Sequence, residues 1–159
     1  MTGTPAPELD VTQWFNAPEP PTLAGLRGRV VVLHAFQMLC PGCVQSGLPQ
    51  AKRIAAIFPP REVAVIGLHT VFEHHEAMTP VSLAAFIHEY RLGFPIAVDR
   101  PGTDGPIPAT MAAYGMRGTP SLVLIDRAGV IRHHGFGAED DLRIGAEIAL
   151  LMAEGREDG

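Results

Sequence analysis

Cysteine is scarce in this chain of 159 residues, which has only two, and both lie in one short stretch. Lysine is scarcer still, because Lys52 is the only lysine among twelve basic residues. The chain also lacks the basic run or aromatic-and-arginine stretch that is typical of nucleic-acid-binding proteins. With a net charge of −5 in addition, the sequence predicts no nucleic-acid partner.

Long apolar runs are missing as well. The longest one near the start, residues 30–36, is interrupted by His34 and is far too short to span a membrane. The first residues have neither the basic start nor the apolar stretch of a secretory signal. We therefore expect no membrane span and a cytoplasmic location. In a reducing cytosol, a close cysteine pair is more often catalytic or metal-binding than structural.

What the chain does have is a globular composition, with 47% hydrophobic and 18% charged residues. Its length suits one domain with a hydrophobic core. We predict a single domain over residues 1–159, made of an N-terminal arm over 1–29, a core over 30–154 and a tail over 155–159.

Apolar runs and helical periodicity alternate along the core. Strands are predicted at 30–36, 63–68, 95–98, 121–126 and 130–134, and helices at 44–58, 82–90, 109–116 and 140–154. Pro49 is expected to kink the first helix, and Ser82 to cap the second. Alternating strands and helices, followed by a hairpin and a last helix, predict an α/β sandwich around a mixed sheet.

The two cysteines form the motif Cys40-Pro41-Gly42-Cys43, between the first strand of the core and the first helix. Two cysteines at this spacing at a helix start can close a disulfide. The first thiol faces unpaired backbone N–H groups and the positive end of the helix dipole, which should lower its pKa and favour the thiolate. Cys43, one turn further on, is expected to be more buried.

Metal binding is an alternative use of the same pair. A zinc site with four thiolates is impossible with two cysteines, so a site would have to recruit histidines, for instance His74 and His75 from the polar loop 69–80. His133 and His134 end a strand and point to opposite faces of it, so both cannot easily bind one ion.

Two later motifs complete the pattern. Gly118-Thr119-Pro120 leads into a strand, and Asp126-x-x-Gly129 forms the turn of the hairpin. Together with the strand, the cysteine motif and the helix, they resemble the thioredoxin superfamily over nearly the whole chain. The N-terminal Pro-Ala-Pro-Glu-Leu and residues 23–33 are similar to its TlpA-type and peroxiredoxin-like redoxin branch. The resemblance implies a thioredoxin fold: a central mixed β-sheet flanked by helices, with an N-terminal extension and an insertion between the second strand and the C-terminal hairpin.

The resemblance also implies a thiol–disulfide oxidoreductase, with Cys40 as the nucleophile and Cys43 as the resolving thiol. Pro120 matches a cis-proline that faces the disulfide, and the backbone of Thr119 would pair with an extended substrate strand. His34 occupies the position where thioredoxin has a buried Asp that assists proton transfer at the second cysteine. An imidazole could do the same near neutral pH, although a plain core histidine is the alternative.

The implied substrate is a protein or small-molecule disulfide, and the implied reductant is a thiol system such as thioredoxin or glutathione. An apolar rim of Phe36, Leu39, Pro41 and Pro120 would accept a loosely recognised partner. Apart from the redox-active disulfide, no cofactor is implied, and no metal.

The sequence departs from the family in ways that leave the direction of electron flow open. Leu39 replaces the usual Trp, the dipeptide between the cysteines is Pro-Gly, and Pro49 lies one residue further from Cys43 than is usual. A peroxiredoxin-like thiol peroxidase is the runner-up. When Cys43 is aligned with the peroxidatic cysteine of peroxiredoxins, the Pro and the Thr of their motif are replaced by Phe36 and Cys40. A Cys40 thiolate could still be oxidised to sulfenic acid, which Cys43 would then resolve. A copper carrier is a third hypothesis, but such carriers have three residues between their cysteines.

Overall fold

Six strands form one mixed sheet. They are β1 (Val11–Phe15), β2 (Val30–Phe36), β3 (Val63–His69), β4 (Ile96–Asp99), β5 (Ser121–Ile125) and β6 (Ile131–Phe136). The strand order is β1-β4-β3-β2-β5-β6. The structure is a computed structural model that describes residues 2–155. Strands β2, β3 and β4 are parallel, whereas β1, β5 and β6 run antiparallel to their neighbours.

Helices cover both faces of this sheet. They are α1 (Leu48–Ile57), α2 (Pro80–Tyr90), α3 (Ala109–Tyr114) and α4 (Asp141–Ala153), with a π-helical segment (Cys43–Gly47) directly before α1. This arrangement is the predicted thioredoxin fold. The predicted insertion corresponds to α2, β4 and α3, which lie between β3 and the hairpin of β5 and β6.

Strand β2 is the centre of the core, because all seven of its residues are buried. Successive side chains of a strand point to opposite faces of the sheet. Val32 and Phe36 pack with residues of α1, α2 and α4, whereas Val31 and Leu33 pack with α3 and the N-terminal arm. His34 shares its parity with Val32, so it points towards the face that α1 covers.

The N-terminal arm is part of the sheet. Strand β1 pairs with β4, and Pro5 bridges to Val130 beside the hairpin. At the other end, Arg127 donates hydrogen bonds to Glu62 and to the backbone oxygen of Met152, which joins the hairpin turn to β3 and α4. Of the predicted tail, residues 156–159 lie outside the described residues.

One local prediction about a helix start is wrong. The second helix begins at Pro80 rather than at Ser82, and its cap is Thr79, whose side-chain oxygen accepts a hydrogen bond from the backbone N–H of Ser82. A proline at the first helical position has no N–H to leave unpaired, so it extends the helix backwards. The kink at Pro49 stays a prediction: the helical stretch runs without a break over residues 41–57, and Pro49 lies within it, directly after the π-helical segment.

Candidate active site

The two cysteines lie where β2 ends and the first helical turn begins, and they form a disulfide. Their Cα atoms are 5.2 Å apart, within the range that such a bond requires. The backbone N–H of Cys43 points at the Sγ of Cys40, 3.2 Å away. Cys43 is fully buried and Cys40 is partly exposed, as the sequence predicted. Cys40 is therefore the sulfur that an incoming molecule can reach.

The Thr119–Pro120 peptide bond is cis, as the resemblance implied. Strand β5 begins at the next residue and pairs antiparallel with β2, so its start lies beside the end of β2 that leads to the cysteines. The carbonyl oxygen of Thr119 is 3.5 Å from the Sγ of Cys40. A Cβ at Gly42 would lie 3.3 Å from Cδ of Pro120, so the proline ring packs directly against the cysteine motif.

His34 lies beneath this motif. Its ring lies against Gly47, which also approaches Pro120, and it is almost completely buried. Within residues 2–155, its Nε2 has no hydrogen-bond partner. Burial lowers the pKa of His34 to about 4, because the charged ring would lose its hydration. The imidazole is therefore neutral at pH 7 and has one nitrogen free to exchange a proton or a hydrogen bond.

The π-helical segment explains the unusual position of Pro49. The backbone N–H of Leu48 bonds to the carbonyl oxygen of Cys43, five residues back, which takes up one residue more than an α-helical turn. The extra residue between Cys43 and Pro49 was the signal for this turn in the sequence. The segment ends at Gly47, where a Cβ would lie only 2.6 Å from Cε1 of His34.

The approach to Cys40 is held by two buried polar side chains that the sequence analysis missed. His69 accepts a hydrogen bond at Nε2 from the backbone N–H of Met38, and Gln37 accepts one from the backbone N–H of Phe72. Burial lowers the pKa of His69 to about 4, so it too is neutral at pH 7. The sequence signal for both was a polar residue at the end of a buried strand: Gln37 directly follows β2, and His69 is the last residue of β3.

The predicted rim is only partly present at the surface, and Pro120, which was expected to belong to it, is buried. Leu39 is 54% exposed and Pro41 is exposed, both beside Cys40. The prediction that Phe36 belongs to the rim is wrong, because its side chain is fully buried among the rings of His34, His69 and Phe86. Alternate residues of β2 point to the face of the sheet that α1 covers, and residue 36 is one of them, so its side chain points into the core.

The remaining histidines do not gather around a common point. His74 and His75 are exposed in the loop after β3, whereas His133 contacts Glu139 and Glu147 at 2.8 and 3.2 Å. Among residues 2–155, no three metal-ligating side chains are grouped so that they could hold an ion.

A groove of about 800 Å³ lies between the end of α1, the start of β3 and residues 91–95, and its lining includes neither cysteine. In the same described range, no helix combines the length and the apolarity needed to cross a bilayer.

Comparison with known proteins gives consistent matches. The Redoxin family matches residues 1–147. The thioredoxin-like superfamily protein SPOA0173 is 62% identical, with a TM-score of 0.94 over 96% of this chain and 99% of that one. A thiol-disulfide isomerase from Corynebacterium glutamicum is 49% identical, with a TM-score of 0.91 over 96% and 98% of the two chains.

A curated relative extends the comparison to a larger protein. Protein DipZ of Mycobacterium tuberculosis is 33% identical over 138 residues, which cover 85% of this chain and 19% of DipZ. The chain thus spans about a fifth of the length of that relative.

Proposed function

This chain belongs to the Redoxin family, and we propose that it is a thiol–disulfide oxidoreductase whose Cys40–Cys43 pair, as a dithiol, reduces a substrate disulfide and is itself left as the disulfide. The observation that carries the proposal is the unequal exposure of the two sulfurs beside a cis-proline. Cys40 is partly exposed next to Thr119 and Pro120, whereas Cys43 is buried behind it. This supports Cys40 as the sulfur that attacks and Cys43 as the one that resolves.

In the reducing direction, the Cys40 thiolate attacks one sulfur of the substrate disulfide. The substrate S–S bond breaks, a bond between Cys40 and the substrate forms, and the departing sulfur takes up a proton. Cys43 then loses its proton and attacks Cys40, which breaks the mixed disulfide and releases the second substrate thiol. Two electrons have passed to the substrate, and a thiol reductant such as a thioredoxin or glutathione system restores the two cysteines.

We assign to His34 the proton that Cys43 gives up. The ring is buried next to Gly47, one turn after Cys43, and its Nε2 has no partner within residues 2–155. A neutral imidazole with an unpaired nitrogen is a proton acceptor. Because burial lowers the pKa of His34 to about 4, it should hold the proton only briefly and pass it on.

The site supports the exchange of disulfides better than a peroxidase. In the alignment with peroxiredoxins, Cys43 takes the place of the cysteine that meets peroxide, and it is fully buried. The position that normally supplies an ordering hydroxyl is Cys40. We also propose that the protein acts in a reducing compartment such as the cytoplasm, because both of its cysteines belong to the exchanging pair.

The test is to replace each cysteine by serine and to offer insulin as the disulfide. Cys40→Ser should lose all turnover, because no accessible nucleophile is left. Cys43→Ser should also stop turning over, but it should retain one insulin chain as a mixed disulfide that mass spectrometry assigns to Cys40. An active Cys43→Ser variant with no trapped chain would contradict the proposed mechanism.

A further inference from the structure

A single exposed aromatic ring lies next to the cis-proline. Phe136, the last residue of β6, is 47% exposed and pairs with Ser121, the residue after Pro120. The backbone N–H of Gly137 donates to the carbonyl oxygen of Pro120 at 2.8 Å. The hairpin register therefore holds the end of β6 alongside the Thr119–Pro120 bond.

The ring is fixed against the backbone that leads to Thr119. A Cβ at Gly118 would lie 3.0 Å from Cε1 of Phe136 and 3.2 Å from its Cζ, so the absence of a side chain at Gly118 lets the ring approach this closely. The guanidinium carbon of Arg117 lies 5.4 Å from the ring centroid, within the range of a cation–π contact. Arg117 and Phe136 thus form one shelf with an aromatic surface and a positive charge.

No carboxylate of residues 2–155 neutralises the charge of Arg117. The side chain is exposed, and across residues 2–155 it takes part in no ion pair, as is also the case for Arg61 before β3. In a chain with a net charge of −5, an unpaired cation at this point is available to an anionic group that comes from outside.

The shelf lies next to the residue that contacts the reactive sulfur. Thr119, whose carbonyl oxygen is 3.5 Å from the Sγ of Cys40, directly follows Gly118. The backbone N–H of Leu39, the residue before Cys40, is 3.4 Å from the Sδ of Met78, so the loop before α2 also packs beside the cysteine motif.

We propose that Arg117 and Phe136 form a subsite that selects substrate disulfides with an aromatic or apolar group and a carboxylate next to the reacting sulfur. The proposal rests on the proposed function and adds the substrate class to it. The ring of Phe136 provides the contact surface, and Arg117 binds the carboxylate. A cationic group at the same place is disfavoured, because it meets Arg117.

The test uses three small disulfides and the reduced protein. One is 5,5′-dithiobis(2-nitrobenzoate), which is aromatic and anionic. The second is 4,4′-dithiodipyridine, which is aromatic and neutral, and the third is cystamine, which is cationic and has no ring. For each disulfide, the second-order rate constant is measured in the parent and in the variants. The ratio of variant to parent is then taken for each disulfide, so that its intrinsic reactivity cancels.

Arg117→Gln should slow the reaction with the anionic disulfide about fivefold, the upper range for one exposed ion pair. It should leave the neutral disulfide within about twofold and should speed up cystamine. Arg117→Lys should keep most of the anionic preference, and Phe136→Ala should slow both aromatic disulfides. Added salt should reduce the anionic preference of the parent but not that of Arg117→Gln.

The matched control is Arg61→Gln, which removes the same charge from an exposed arginine before β3, at the opposite end of the sheet. If Arg61→Gln slows the anionic disulfide as much as Arg117→Gln does, the effect belongs to the net charge and the subsite is refuted. If the parent reacts quickly and Arg117→Gln has the same ratios between the three rate constants as the parent, the proposed subsite is refuted and the proposed function stands. If the parent reacts with all three disulfides no faster than a free thiol, the proposed function fails as well.

Discussion

Acidification should destabilise this protein through its two buried histidines. Burial lowers the pKa of His34 and of His69 to about 4, whereas an unfolded histidine titrates near its ordinary value of 6.5. Between these two values the unfolded chain binds protons that the folded protein does not. The stabilisation is therefore fully present above pH 6.5 and is lost as the pH falls towards 4.

The size of the effect follows from proton linkage. At pH 5.5 an unfolded histidine is about nine-tenths protonated, while one with a pKa near 4 carries only a few per cent of a proton. Each buried histidine then lowers the free energy of unfolding by about 1.2 kcal/mol for every pH unit. From pH 7 to pH 5, His34 and His69 together should cost about 4 kcal/mol, a large part of the stability of a small domain.

Urea unfolding of the oxidised protein at a series of pH values between 7 and 5 measures this slope. His34→Leu removes one titrating ring and should reduce the average slope over this range by about 1 kcal/mol per pH unit, whatever it does to the stability at pH 7. His69→Gln, which keeps an acceptor for the N–H of Met38, should reduce it by a similar amount. His75→Gln, at an exposed position, is the matched control and should keep the parent slope. If the free energy of unfolding of His34→Leu depends on pH as steeply as that of the parent, His34 is not a buried neutral ring in the folded protein.

Two further predictions concern glycines in helical segments. Gly47→Ala would place a Cβ 2.6 Å from Cε1 of His34 and 2.9 Å from Cβ of Pro120, so it should lower the free energy of unfolding by about 1–3 kcal/mol. The double variant with His34→Ala should recover part of that loss. Strict additivity of the two substitutions in a double-mutant cycle would contradict the contact. Gly145→Ala, in α4 with no atom within 4 Å of its added Cβ, should instead raise the free energy of unfolding by about 0.5–1 kcal/mol, as urea unfolding can measure.

Much of the fold could be predicted because its signals are local. The β-branched run over 30–36 has the bounds of β2, and the second strand differs from β3 by one residue. The cysteine motif and the Thr119–Pro120 dipeptide are also local patterns, and the predicted cis bond is present. The roles of Cys40, Cys43 and His34 in the reaction stay predictions until the variants are measured.

The parts that were missed depend on which face or which neighbour a residue meets. Phe36 looks like a rim residue from its distance to Cys40 along the chain, but the alternation of β2 turns it into the core. Phe136 lies beside Pro120 only because of the register between β5 and β6, and a shift of one residue would turn it to the other face. Neither the register nor the contact between Arg117 and Phe136 has a local signal in the sequence.

A comparison of two rates in the fully reduced protein distinguishes disulfide exchange from peroxidase chemistry at Cys40. One is the rate at which Cys40 exchanges with a model disulfide, and the other is the rate at which it is oxidised by hydrogen peroxide. The account predicts quick exchange and a peroxide reaction near that of a free thiol. A peroxide reaction several orders of magnitude faster than that of a free thiol would contradict it and would make the site a peroxidase that Cys43 resolves.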